Sequence, residues 1–270
     1  TSSIMFGDDA TGTIDAANYN TGLGVDVFAA LTTGDFNTAV GFSSLKDLTT
    51  GTRNVAMGDS ALENNTTAND NTAFGSGALF LNTTGASNTA VGSAALDANT
   101  TASNNTAVGK AALGANTTGN SGVAIGKSAL ASNTTGNSNT AIGKDAIGSN
   151  TTGASNTAVG DGALFANTTA SNNTAMGKDA LVANTEGHTN TAVGSEAAKA
   201  ITTGDENVAI GHGALDGGTT VNGNTSVGTD TMGSASYSGS YNTAVGYNAM
   251  LVATSVSGTT AIGNQCLDAL

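Results

Sequence analysis

His188, His212, Cys266 and a thin scatter of acids are the side chains best equipped for metal or nucleophilic chemistry in this 270-residue chain. A metal needs three or four donors converging on one point, and a nucleophile needs a base within hydrogen-bond reach. Neither histidine has an Asp or Glu at ligand spacing, and Cys266 lies far along the chain from both. Asp8–Asp9 and Asp205–Glu206 are adjacent acids, but no glycine–aspartate repeat supports calcium there, so they read as solvated turn acids. Lys110, Lys127 and Lys144 recur at one fixed interval, followed by Asp161 and Lys178, a row whose simplest role is solubility. Tyr237, Tyr241 and Tyr247 are three of the four tyrosines, and aromatic faces are natural stacking surfaces for sugars or partner side chains. These three are the candidate ligand or partner contacts. No catalytic residue, metal ligand or cofactor-binding residue emerges, and the expectation is a protein without cofactor that is not an enzyme.

What positions these residues is a repeat. Asn88-Thr89-Ala90-Val91-Gly92, then Ala95-Leu96 and Asn99-Thr100-Thr101, returns one period later as Asn105-Thr106-Ala107-Val108-Gly109, with Ala112-Leu113 and Asn116-Thr117-Thr118. Its glycine recurs at the same interval from Gly7 to Gly228, and after one single-residue slip at Gly246 and Gly263, giving sixteen copies. A short fixed period is the mark of a solenoid, in which each unit packs only on its neighbours. The fold expected is all-β, a parallel β-solenoid of sixteen 17-residue coils forming one domain over residues 1–270, a fragment of a longer fibrous protein. Glycine and Asn-Thr-Thr content argue against helices, and the absence of proline suits an uninterrupted backbone ladder.

Numbering each coil from its asparagine, so that Asn88 is position 1 and Gly92 position 5, separates the roles. Position 2 is Thr or Val almost throughout, the β-branched choice for a strand. Position 4 is never polar, running from Phe6 and Leu23 to Val245 and Ile262, and is expected to face the core together with the leucines of position 9. Position 1 asparagine reads as an ordinary turn residue. Position 12 changes from Ile14, Leu31 and Leu48 to Asn65, Asn82, Asn99, Asn116, Asn133, Asn150, Asn167 and Asn184, then to Ile201. A position that exchanges asparagine for Leu or Ile is expected inward, as an amide ladder inside the coil. A row of exposed turn asparagines is the reading weighed against it. The insertion between Gly228 and Asn242 is expected to bulge a corner.

If positions 2 and 4 point inward, position 3 points out. Ala90, Ala107, Ala124, Ala141, Ala158, Ala175 and Ala192 would then form an apolar stripe for assembly with other copies of the chain, expected as a homotrimer. The competing reading places those alanines inward as small packing residues.

The formal charge of −13 argues against nucleic acid or an anionic membrane as partner. No apolar run is long enough for a membrane helix, so no membrane insertion is expected in this segment. One cysteine leaves no internal disulfide framework.

Ser121-Gly122-Val123-Ala124-Ile125-Gly126 and Glu206-Asn207-Val208-Ala209-Ile210-Gly211 resemble the N-S-V-A-I-G motif of YadA-like heads of trimeric autotransporter adhesins. The Ala-Val-Gly repeats are also similar to those of phage tail-fibre and other surface-fibre proteins. The 17-residue period is longer than that family's usual unit, the extra residues falling in the Asn-Thr-Thr segment. The resemblance implies a left-handed β-roll, assembly as trimers and a place on the cell surface, outside the cell or on a virion. It further implies attachment to a surface glycan or host-surface receptor, with no catalytic residue to carry over. The alternative weighed is an ice-binding solenoid using the threonines of position 13, unbroken from Thr32 to Thr219. A carbohydrate-active enzyme on a β-helix ranks behind both, because no paired carboxylates emerge.

Overall fold

The computed structural model describes residues 3–6 and 16–268. Gly7, Asp8, Asp9 and Ile14 lie outside the described residues, as does the side chain of Met5. The chain forms a parallel β-solenoid with 17-residue spacing, and among the described residues there is no helix. It divides into two compact units, Thr1–Asn137 and Ser138–Leu270. The first carries β1 (Ile4–Phe6), β2 (Thr21–Leu23), β3 (Thr38–Val40), β4 (Val55–Met57), β5 (Thr72–Phe74), β6 (Thr89–Val91), β7 (Thr106–Val108) and β8 (Val123–Ile125). The second carries β9 (Thr140–Ile142), β10 (Thr157–Val159), β11 (Thr174–Met176), β12 (Thr191–Val193), β13 (Val208–Ile210), β14 (Thr225–Val227), β15 (Thr243–Val245) and β16 (Thr260–Ile262). Within each unit strands pair in parallel and in chain order, like residue on like, as in Thr89↔Thr106, Ala90↔Ala107 and Val91↔Val108.

Each strand has three residues, so only the middle side chain points inward. That parity reverses one expectation. Ala90, Ala107, Ala124, Ala141, Ala158, Ala175 and Ala192 are fully buried and form no outer stripe. The position 4 residues do not line the core; Met57, Ile125, Ile142 and Ile210 are among those exposed. The reason is volume. Position 9 leucines such as Leu79, Leu96 and Leu113 already fill the narrow interior, which leaves room for a methyl group opposite and for nothing larger. Where position 9 is Phe28, position 3 shrinks to Gly22, whose absent Cβ would sit 3.2 Å from the Phe28 ring. Each buried leucine contributes about 2 kcal/mol by removal from water.

The rest of the interior is amide. In the first unit Asn82 Nδ2 donates to Asn65 Oδ1 at 3.0 Å, Asn99 to Asn82 at 2.8 Å, Asn116 to Asn99 at 3.1 Å and Asn133 to Asn116 at 2.9 Å. In the second, Asn167 donates to Asn150 at 2.8 Å and Asn184 to Asn167 at 3.2 Å. The other amide hydrogen meets a carbonyl three residues on, as from Asn116 to Gly119 at 2.9 Å. Asn184 Oδ1 ends the row without a partner, because Ile201 in the following coil has no donor.

Position 1, expected as a plain turn, is a second buried ladder. Asn37 Oδ1 accepts the Asn54 backbone N–H at 2.9 Å, and Asn54 Nδ2 donates to the Ala68 carbonyl at 2.9 Å. Asn156 and Asn173 repeat this in the second unit. A turn residue exposed to water would need neither bond; these satisfy backbone groups that the coil itself buries.

Candidate functional site

The outward side of the strands is the most regular surface the coils make. Positions 2 and 4 place a half-buried Thr or Val beside an exposed Val, Ile, Met or Phe on strand after strand. In the first unit the exposed row is Phe6, Leu23, Met57, Phe74, Val91, Val108 and Ile125, with Val40 half-buried. In the second it is Ile142, Met176, Ile210, Val245 and Ile262, with Val159, Val193 and Val227 half-buried. Contiguous apolar rows of this kind mark contact surfaces.

The three tyrosines part company. Tyr237 is buried, a correction to its place among the candidate contacts. The extra residue is taken up between Met232 and Ser238, and there the Tyr237 N–H donates to Ser234 O at 2.9 Å, as the position 12 residue does in other coils. The preceding coil has Gly218 at position 12, and a Cβ there would lie 3.5 Å from the Tyr237 ring. The Val221 methyl carbons, 2.8 and 3.0 Å from that same point, and the Tyr237 ring together fill the space that Gly218 leaves empty. The Tyr237 hydroxyl accepts from Asn242 Nδ2 at 2.6 Å and donates to Asn224 Oδ1 at 3.4 Å. Burial pushes its pKa up to about 12, against the opposing bond from Asn242. Strands β14 and β15 stay in register, Thr225 on Thr243, so neither of these two strands is bulged. Tyr241 and Tyr247 are exposed at either end of β15.

The remaining candidates scatter. His188 Nδ1 accepts the Ser171 N–H at 3.0 Å, while the His188 N–H donates to Asp205 Oδ1 at 2.6 Å. These bonds belong to an outer string at position 16 in which a side chain accepts the N–H of the same position one coil earlier, as Asn120 does for Ser103. The sequence reading missed this string. Its only signal is the recurrence of Asp, Asn, Ser, Thr and His at position 16. His212 faces Asp230 at 3.6 Å, and Glu196 pairs with Lys199 at 2.7 Å, which holds the Glu196 carboxyl below its usual range. Burial raises Asp216 and Asp97. Lys144 lies 3.0 Å from Asp145. Cys266 is half-buried. Among the described residues no three His, Cys, Asp or Glu side chains converge as metal ligands, and no enclosed pocket is present.

Most position 13 hydroxyls donate to the protein's own backbone carbonyls. Thr100 Oγ1 donates to the Thr117 carbonyl at 3.2 Å, and Thr151 to Thr168 at 3.0 Å. Also missed was the outer column at position 17, where Tyr19 and Phe36 stack with ring centroids 4.8 Å apart. No family model, no curated protein and no solved structure matches the chain.

Proposed function

We propose that this chain is a structural and adhesive repeat, the head or shaft of a surface fibre working outside the cell or on a virion. It assembles with copies of itself, as a homotrimer, and presents its remaining outer surface to a glycan or receptor. The observation that carries this reading is the exposed apolar row at position 4, repeated on both units. Water leaves such a row uncovered only at a cost of ~25 cal/mol per Å². A second copy offers the same spacing of side chains in the same order. The resemblance to YadA-like heads supports attachment as the task and trimers as the assembly. Catalysis is no part of the proposal.

The rival, ice binding through threonine rows, needs regularly spaced hydroxyls free to order water. Position 13 hydroxyls donate to carbonyls of the next coil, and Phe74, Met57 and Met176 roughen the strand face. Both features weigh against it. Binding of the purified chain to cell surfaces and glycan arrays tests the proposal, with ice-recrystallisation assays run in parallel. Surface binding without ice activity is the expected result, and the reverse pattern overturns it.

A further inference from the structure

Position 17 forms a column along the outside of the coils. On consecutive rungs of the first unit, the Tyr19 and Phe36 rings stack 4.8 Å apart with planes 9° from parallel. Strand pairing therefore sets neighbouring rungs of this column at a ring-stacking distance. In the second unit the column ends Glu206, Gly223, Tyr241, Gly258. Tyr241 leans back one rung: its Cδ1 and Cε1 lie 2.7 and 3.0 Å from where a Gly223 side chain would begin. On the other side, a Cβ built at Gly258 would meet nothing within 4 Å. Tyr241 is accordingly 70% exposed. One rung backs the ring and the next is vacant.

We infer that this vacant rung is a subsite for the pyranose ring of a neutral glycan, stacked on Tyr241 in the space over Gly258. The inference rests on the attachment reading above and narrows it to a ligand class and a place. The C–H face of a pyranose carries partial positive charge and suits the negative face of an aromatic ring. The residues flanking Tyr241 and Gly258 in the chain include the hydroxyls Ser240, Ser257 and Thr259, of which Ser257 is exposed and Thr259 half-exposed. Ser257 Oγ accepts the Ser240 N–H at 3.1 Å, which leaves its own hydrogen to donate. Residues 200–270 contain no Lys or Arg, so a sulfated or sialylated sugar would meet no cation there. An open notch of one ring gives weak single-site binding, and joined copies would multiply it.

Saturation-transfer NMR and titration of the purified chain with methyl glucoside, methyl galactoside and methyl mannoside test this. At least one glycoside should bind, with the protons of one ring face shifted upfield. Tyr241→Ala should weaken binding about tenfold or more. Gly258→Tyr should block it equally by placing the protein's own ring on the vacant rung, as Phe36 does for Tyr19. Tyrosine is tolerated there, because Gly258 has φ +66° and Tyr19 and Tyr241 already stand at +60° and +61°. That variant should melt no lower than the parent, which separates occlusion from misfolding. If both variants bind as the parent does, the subsite is wrong and attachment through sugars elsewhere stands. Preference for sulfated or sialylated glycosides overturns the neutral class. A parent that holds no glycoside but still coats cells overturns the subsite alone; one that holds neither removes the attachment reading with it.

Discussion

At the scale of single residues the interior is decided by amides. The position 12 ladder has a direction, each Nδ2 donating to the preceding Oδ1, so a row of any length leaves one acceptor over at its end, here Asn184 Oδ1. Shortening the row moves that orphan; breaking its middle makes a second. Asn116→Asp removes both donors, to Asn99 Oδ1 and to the Gly119 carbonyl, and sets a carboxylate beside acceptors. Thermal and denaturant melts should show a loss of several kcal/mol, about 3 or more. An unchanged midpoint would remove the ladder from the account. Tyr237 gives a second residue-scale prediction. Its pKa rises from 10.0 to about 12 on burial, so the folded state holds the phenolic proton more tightly than the unfolded chain. The associated stability is fully present below about pH 10 and is lost as pH rises through about 12. Tyr237→Phe should flatten that alkaline decline in melts run from pH 9 to pH 12, and a variant that declines as steeply as the parent would contradict the assignment.

At the scale of the coil, the glycine at position 5 fixes the corner. Gly109 has φ +136°, and a Cβ there would collide with the Gly126 carbonyl oxygen. That contact is with backbone and cannot swing away, so Gly109→Ala should cost roughly 3 kcal/mol or more, read as a fall in denaturation midpoint. A cost within ~0.5 kcal/mol would mean the corner is looser than its geometry. The coil's period, its glycine corner and its inward position 12 were legible in the sequence, because each is a strict recurrence. The facing of the strand was not. Thr-Ala-Val has no polar–apolar alternation to read, and an apolar residue kept at position 4 looks the same whether it fills a core or a contact surface. Position 1 hid for a similar reason, since asparagine suits an exposed turn and a buried ladder equally. Tyr237 was misplaced because the space it fills belongs to Gly218 in the preceding coil, a neighbour visible only after the insertion is aligned.

At the scale of the whole molecule, a typical coil hides one leucine, two alanines and its amide ladders, and leaves an apolar row outside. A core this thin gains from association, and a chain of net charge −13 must keep its charged residues off any shared face. The row meets that condition, since position 4 carries no charged residue in any coil. The most direct test of the central claim is sedimentation equilibrium of the purified chain at micromolar concentration, beside a variant with Ile125→Lys and Ile142→Lys. Assembly predicts a particle of three 26.0 kDa chains for the parent, and dissociation of the folded variant. A parent that sediments as a 26.0 kDa monomer, or a lysine variant that assembles as the parent does, contradicts it.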